Sequence, residues 1–452
     1  MSRVKAVILE FFYWRSIVMS QLFRPLLEAG DKYSQIIGKT IGRHKKHYFD
    51  YTASGLAYEP IEERIREVLE TYANTHSKEA SMAAKTDSYY RQAREHLKTL
   101  LELDDGFVII PSGCGATAAV KRLQEILGLY IPPATRARYL GLDTAKLPLV
   151  IVGPYEHHSN EISYREALCE TVRIGLNDKG LVDLEELEWI LRTNKDREMI
   201  GTFCIASNVT GTITPYAEIS ALLRRYGATV CFDAAASSPY RNIPCELYDA
   251  MVFSPHKLLG GPGSCGLLAI RKNLFDGDHS PTFAGGGTVS YVSRKSHTFV
   301  DEIEDREDAG TPGILQLIRA ALAYQLRNEL GFEWIGASKK ILHAHLVKEL
   351  RTIPQAECYG CRNAENIGIV SFNIHNIDPY ALCTLLSDEE GFQTRAGCSC
   401  AGPYGHDLLG LGDDEDLAFR PGWLRITVHY SQTIEDIDAL IDAIKKSLRR
   451  LE

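Results

Sequence analysis

The stretch from residue 247 to residue 271, LYDAMVFSPHKLLGGPGSCGLLAIR, constrains the fold more than any other part of the chain. Its two apolar runs, residues 250–253 and 266–270, have the length and composition of buried strands. Between them lie Lys257 and a loop of glycines. In a confined polar pocket a lysine can lose its proton and attack a carbonyl group, which begins a Schiff base. Taken alone, Lys257 is more simply a surface residue in a glycine-rich turn, because lysine is rarely buried unless paired or functional.

Short apolar runs of the same kind recur between residues 106 and 232, and segments with helical periodicity separate them. This alternation predicts an α/β fold whose sheet is mostly parallel and carries helices on both faces. Ligands of such sheets bind beyond the carboxyl ends of the strands. The polar residues that follow the predicted strands are Ser112, His157, Asn208, Asp233 and Lys257.

The chain divides into three predicted parts. Residues 1–46 form an N-terminal arm or extension, with one helix over residues 21–42, and the first 18 residues are either an upstream extension or the result of a mis-set start. Residues 47–330 form the large domain, which ends in a helix with a broad apolar face over residues 312–330. Residues 331–452 form a smaller α+β domain, in which residues 393–422 are expected to be an irregular loop.

Charge and cysteine content exclude several classes of protein. A net charge of −9 argues against nucleic acid as a partner. The apolar stretch at residues 7–14 is too short to span a membrane. Eleven cysteines without a recognisable signal peptide point to a reducing, cytoplasmic compartment. The four thiols of CYGC (358–361) and CSC (398–400) fit no common zinc module, so we predict no metal site.

The glycine-rich turn SGCGAT (112–117) opens a predicted helix. Backbone N–H groups at such a position bind anions, so Gly113, Cys114 and Gly115 are candidates for a phosphate cup. Ser254 and His256 offer side-chain donors to the same group. The turn is neither a P-loop nor a dinucleotide-binding fingerprint, because GK[ST] and GxGxxG are absent. A plain tight turn explains this motif equally well.

Three strand-end side chains suit a pyridine-type cofactor. A carboxylate at Asp233 would hold the proton on the ring nitrogen that makes pyridoxal phosphate an electron sink. His157 would stack on the ring, and Asn208 would hydrogen-bond the cofactor or substrate. Taken individually, Asp233 is better explained as a helix N-cap, and His157 is equally well explained as a satisfied polar residue. The case rests on their joint order along the chain.

Several motifs give the chain a resemblance to a known family. They are HYFDYTASG, EHHSN, SNVTGT, FDAAAS, SPHKLLGGPGS, AGTP, RAGCSCAGP and WLRITVHYS. The chain resembles the class V aminotransferases, fold type I pyridoxal phosphate enzymes, and among them the cysteine desulfurases and selenocysteine lyases. The resemblance runs from about Tyr48 to the C-terminus. It implies a large domain with a mostly parallel seven-stranded sheet, pyridoxal 5'-phosphate as cofactor, and a homodimer.

The resemblance also assigns roles to residues of the predicted cofactor site. Lys257 would form the Schiff base, Asp233 would pair with the ring nitrogen, and His157 would stack on the ring. Asn208 would lie beside the cofactor and the substrate. The groups that would hold the phosphate are Ser254, His256, the backbone of Gly113, Cys114 and Gly115, and Thr311 from the neighbouring subunit.

Cys400 decides the chemistry that the resemblance implies. It stands at the position of the family's catalytic cysteine, so the chain would take sulfur or selenium from a cysteine-like amino acid and pass it to an acceptor such as a protein. Arg395 and Arg425 would bind the substrate. Two positions depart from the desulfurase pattern: Ala236 replaces a glutamine, and Ser431 replaces an asparagine. An aminotransferase or another amino-acid lyase, in which Cys400 only packs, and a catalytically inactive scaffold are the alternatives.

Overall fold

The computed structural model describes residues 22–43, 47–75, 77, 79–139, 147–275, 280–361, 364–412 and 422–451. The predicted extension over the first 18 residues lies outside these ranges. The prediction of one helix over residues 21–42 is wrong. Residues 23–31 form turns and bends around Pro25, and helix α1 spans only Lys32–Lys39. Asp31 caps α1 by accepting hydrogen bonds from the N–H groups of Tyr33 and Ser34.

A seven-stranded sheet forms the centre of the molecule, in the order β2-β8-β7-β6-β5-β3-β4. With strands numbered in chain order from β1 (His47–Tyr48), its members are β2 (Phe107–Ser112), β3 (Leu149–Val152), β4 (Glu170–Arg173), β5 (Met199–Cys204), β6 (Thr229–Asp233), β7 (Ala250–Phe253) and β8 (Gly266–Arg271). Only β8 is antiparallel to its neighbours, and the other pairs are parallel. The predicted mostly parallel sheet is confirmed.

Helices cover both faces of this sheet. They are α2 (Glu59–Leu69), α3 (Ser81–Leu100), α4 (Gly115–Ile126), α5 (Pro133–Tyr139), α6 (His158–Arg165), α7 (Leu184–Thr193), α8 (Tyr216–Arg225), α9 (Ile303–Arg306) and α10 (Ile314–Leu330). Successive residues of β2 alternate between two apolar clusters: Ile109 belongs to one, and Val108 and Ile110 belong to the other. The strands are therefore buried on both sides, which explains their continuous apolar sequences.

A second, antiparallel sheet lies toward the C-terminus, in the order β11-β12-β15-β14. The remaining strands are β9 (Val289–Val292), β10 (His297–Phe299), β11 (Ala356–Cys358), β12 (Ile369–Ile374), β13 (Phe392–Gln393), β14 (Arg395–Gly397) and β15 (Trp423–Thr427). The helices of this part are α11 (Phe332–Leu350), α12 (Pro379–Asp388), α13 (Gly402–Leu409) and α14 (Ile434–Leu451). This sheet has an apolar cluster of its own. The domain boundaries stay a prediction.

The region expected to be irregular, residues 393–422, contains two regular elements. Strand β14 pairs with β15, and α13 follows the Cys400 turn. The expectation was wrong because short elements held by tertiary contacts leave little periodicity in the sequence. Residues 413–421 of this region lie outside the described ranges. Among the helices described, none is both long enough and apolar enough to cross a membrane.

Strand β8 approaches the glycine turn at the start of α4 very closely. A Cβ atom at Gly266 would lie 2.1 Å from the backbone oxygen of Gly115 and 2.7 Å from that of Ser112. Because both obstacles are backbone atoms, neither can rotate away. Glycine at position 266 therefore fixes the distance between β8 and the turn that opens α4.

We expect Gly266→Ala to lower the free energy of unfolding by about 1–3 kcal/mol, the usual cost of overpacking. Urea denaturation followed by far-ultraviolet circular dichroism measures this change. Gly336→Ala is the matched control: Gly336 lies within α11 with no atom within 4 Å of its Cβ position, and alanine favours the helix. Equal denaturation midpoints for the two variants would contradict the proposed contact.

Candidate active site

A cavity of about 230 Å³ opens at the carboxyl ends of the central strands. The structure brings most of the sequence-predicted site residues together in its lining: Cys114, Gly115, His157, Asn208, Asp233, Ser254, His256, Lys257, Arg395, Cys400 and Arg425. Gly113 and Thr311 do not line it. Thr311 is exposed, and its hydroxyl accepts a hydrogen bond from Asn74.

Two charged residues of the cavity, Asp233 and Lys257, lie at or just after the ends of central strands. Asp233 is the last residue of β6 and is buried. Lys257 closes a short 3₁₀ turn that begins at Pro255, directly after β7. Since β6 and β7 are parallel neighbours, their carboxyl ends place the carboxylate and the amine in the same cavity.

Burial dominates the ionisation of this pair. It lowers the pKa of Lys257 to about 8, while attraction to Asp233 opposes the shift. Burial also raises the pKa of Asp233, and the Ala235 N–H and the charge of Lys257 act against that rise. The amine of Lys257 is therefore neutral far more often near pH 8 than that of an ordinary lysine, whose pKa is about 10.4.

Two imidazoles beside Lys257 stay neutral at physiological pH. Burial and the nearby Lys257 charge lower the pKa of His157 to about 3 and that of His256 to about 4. His157 accepts the Ser159 N–H at 3.1 Å and so caps helix α6. A neutral ring at the cavity wall is suited to stacking against a planar ligand.

The start of α4 forms a cradle in the cavity wall. The Ala116 N–H donates to the Ser254 hydroxyl at 2.8 Å. Gly115 has a φ of 66°, and a Cβ atom there would lie 2.8 Å from the His256 ring. Only glycine fits beside His256 at this position, and Gly115 and Ala116 at the helix N-terminus line the cavity.

Cys400 lies exposed on a strained turn. Ser399 and Cys400 have φ values of 54° and 57°, a left-handed conformation that costs about 1–3 kcal/mol per non-glycine residue. Asn208 Nδ2 donates to the Ser399 carbonyl at 2.7 Å, and the His158 N–H donates to the Cys400 carbonyl at 2.8 Å. The Gly402 N–H in turn donates to His158 Nε2 at 2.8 Å. These bonds join the turn to the loop after β5 and to the start of α6, and they hold Cys400 in the cavity lining.

Cys398 differs from Cys400 in its surroundings. It is partly buried and packs against the main apolar cluster. Across the described ranges no group of three or more cysteine, histidine or acidic side chains could hold a metal ion.

The two arginines of the cavity share one carboxylate. Arg395 and Arg425 stand directly opposite each other on β14 and β15. Asp50 accepts from Arg425 Nη2 at 2.7 Å and from Arg395 Nη1 at 3.3 Å. Sequence reasoning missed Asp50 as well as His158. Asp50 could have been found only through the two arginines, because like charges directly opposite in a sheet need a counter-ion. The strand register that pairs those arginines depends on tertiary structure and cannot be read from the sequence.

The two departures from the desulfurase pattern lie in different places. Ala236 lines the cavity and offers no side-chain donor there. Ser431 lies outside the lining, buried, where its hydroxyl is 2.8 Å from Tyr51 Oη and 2.8 Å from His429 Nδ1.

Comparison with known proteins shows to which family this chain belongs. The family model for Aminotransferase class-V matches residues 47–440. The chain belongs to the class V aminotransferase family. The chain is 26% identical over 410 residues to a probable cysteine desulfurase of Streptomyces coelicolor, with 89% of this chain and 92% of the relative covered. It is 28% identical over 301 residues to a cysteine desulfurase of Haloferax volcanii, covering 65% and 67% of the two chains.

Solved structures share the fold of this chain. A cysteine desulfurase from Thermococcus onnurineus superposes with a TM-score of 0.78 at 21% identity, over 94% of this chain and all of that one. A cysteine desulfurase from Escherichia coli gives a TM-score of 0.76 at 23% identity, with the same coverage. At these identities the likeness concerns the fold alone.

The lowered pKa of Lys257 predicts a specific reactivity. Reductive methylation of the ligand-free protein, quantified peptide by peptide, should modify Lys257 with a midpoint near pH 8, because only the neutral amine reacts. Asp233→Asn should move this midpoint to lower pH, since the attraction that favours the charged amine is lost. A wild-type midpoint at pH 10 or above would show that burial does not control this amine.

Proposed function

We propose that this chain is a pyridoxal 5'-phosphate-dependent cysteine desulfurase that transfers the sulfur of L-cysteine to Cys400 and releases alanine. The observation that carries the proposal is the fixed, exposed Cys400 thiol in the same cavity as the buried Lys257 and Asp233. The relatives named cysteine desulfurase support the same assignment.

The residues of the cavity fit this cofactor. The cradle at Gly115, which a Cβ atom would fill, suits a phosphate group together with Ser254 and His256. Asp233 would pair with the ring nitrogen, and the neutral His157 would cover the ring face. Bound at Lys257, the cofactor would supply an electron sink for charge that develops on the substrate Cα.

The chain's own residues would carry the remaining steps. Arg425, with Arg395 beside it, would bind the substrate carboxylate. The neutral amine of Lys257 would take the proton from the substrate Cα, which its pKa of about 8 permits near neutral pH.

Cys400 would then act as the nucleophile. Its thiolate attacks the substrate sulfur, so an S–S bond forms while the Cβ–S bond breaks. The bonding electron pair stays on the substrate, whose Cβ would take up the proton that the Cys400 thiol lost. Lys257 would return the other proton to Cα, and alanine leaves. The proton of the substrate thiol remains on the terminal sulfur, so Cys400 carries a persulfide. A thiol of a small molecule or of a protein would then accept that sulfur.

One observation favours a second candidate. Because Ala236 supplies no side-chain donor to the cavity, an aminotransferase or another amino-acid lyase that does not use Cys400 is the alternative. Its cofactor site would be identical, so only the thiol separates the two functions.

We further propose a homodimer in which Thr311 of each subunit reaches the phosphate group of its partner. The exposed position of Thr311, outside the cavity of its own chain, agrees with this arrangement. The cysteines are all free, which suits a reducing compartment such as the cytoplasm.

Cys400→Ala should bind the cofactor and L-cysteine normally but release no sulfur, measured as sulfide in the presence of a reducing thiol. Removal of a covalent nucleophile typically costs several orders of magnitude in rate. Cys398→Ala is the matched control, since this neighbouring thiol only packs, and we expect a change of a few-fold.

Two results would contradict the desulfurase proposal. One is near-full sulfide release by Cys400→Ala. The other is amino-group transfer from the substrate to a keto acid by the wild type with no sulfur released, which would establish the aminotransferase instead.

A further inference from the structure

Asp50 occupies a position between the two arginines of the cavity. Its side chain is 14% exposed, while that of Arg425 is 3% exposed and that of Arg395 is 42% exposed. Its backbone carbonyl accepts hydrogen bonds from the Ala53 N–H at 2.9 Å and from the Tyr48 hydroxyl at 3.1 Å. The carboxylate is thus held in place by the turn that carries it.

Arg425 is already largely engaged without a ligand. Its Nη1 donates to the Asn208 carbonyl at 2.8 Å and its Nη2 to Asp50 at 2.7 Å, and its buried Nε has no hydrogen-bond partner in the structure. Arg395 is the more accessible guanidinium and lines the cavity together with Cys400. An anionic group on a substrate side chain would therefore meet Arg395, since the reacting sulfur has to lie near Cys400.

One ligand anion would balance the net charge of Arg395, Arg425 and Asp50. Two guanidinium groups and one carboxylate sum to a single positive charge. The two imidazoles in the cavity add none, because burial and the nearby Lys257 charge keep them neutral. Lys257 and Asp233 balance each other when both are charged. Low exposure makes the field of Asp50 strong, since water screens it poorly.

We propose that Asp50 is a specificity-determining residue that selects amino acids with an uncharged side chain and disfavours those with a second anionic group, such as a carboxylate or sulfinate. The inference rests on the proposed function, in which the arginines bind the substrate carboxylate. Asp50 neutralises the arginine that a second anion would need and repels that anion directly. A cysteine, whose neutral thiol carries no such charge, escapes this penalty.

The experiment compares two isosteric amino acids, L-asparagine and L-aspartate, which differ in side-chain charge. Their dissociation constants for the cofactor-loaded enzyme are measured by calorimetry. In Asp50→Asn we expect the affinity for L-aspartate, relative to L-asparagine, to rise tenfold or more. Asp50→Glu should keep the wild-type preference because the charge is retained.

Asp249→Asn is the matched control. Asp249 is 15% exposed and also lies near two arginines, Arg224 at 3.2 Å and Arg271 at 3.7 Å, but these arginines, unlike the two partners of Asp50, do not line the cavity. This variant therefore controls for the loss of a partly buried carboxylate elsewhere in the protein. It should keep the wild-type ratio of the two affinities. An equal rise in Asp249→Asn would overturn the proposal.

A second variant decides the matter if Asp50→Asn does not fold. Asp50→Ser removes the same charge with a smaller side chain, so the relative affinity for L-aspartate should rise in the same way. An unchanged ratio in Asp50→Asn, or in Asp50→Ser, would overturn the role of Asp50. Because the ratio is a binding measurement, it is separate from sulfur release: a wild type that releases no sulfide contradicts the proposed function and leaves this test intact.

Discussion

The burial of Lys257 beside Asp233 is the interaction on which the site depends. An amine placed in a closed pocket without a carboxylate would strongly favour its neutral form, and a carboxylate alone would favour its protonated form. Together they hold the pKa of Lys257 at about 8, which leaves the amine both reactive and available for protonation. The parallel pairing of β6 and β7 brings the two groups together. The close approach of β8 to the glycine turn then fixes the cradle on the other side of the lysine.

A few hydrogen bonds join the residues around the large sheet to the C-terminal part of the molecule. Asn208 donates through its side chain to the Cys400 turn and accepts through its backbone from Arg425. The His158 imidazole accepts a hydrogen bond from the Gly402 N–H, just after that turn. The strained backbone at Ser399 and Cys400 is thus held by residues that also line the cavity. The same set of elements positions the Cys400 thiol, the Arg425 guanidinium and the Lys257 amine. A displacement of either sheet would alter all three positions together.

Much of this arrangement was predictable from sequence, and the exceptions have physical causes. Buried parallel strands leave apolar runs, and their polar ends mark the ligand edge, so Asp233, Asn208 and Lys257 could be assigned to one site. The helix expected over residues 21–42 fails because Pro25 and the Asp31 cap act locally against it. Asp50 and His158 escaped because their partners lie hundreds of residues away in sequence. Short elements such as α13 depend on tertiary contacts, which periodicity does not record.

In the proposed reaction, sulfur passes from the substrate to Cys400. The most direct test is mass spectrometry of the cofactor-loaded protein after brief incubation with L-cysteine and no reductant, followed by alkylation and digestion. We predict a mass increase of one sulfur atom on the peptide that carries Cys400, with alanine formed in equal amount. Alanine formed while that peptide keeps its original mass would contradict the account.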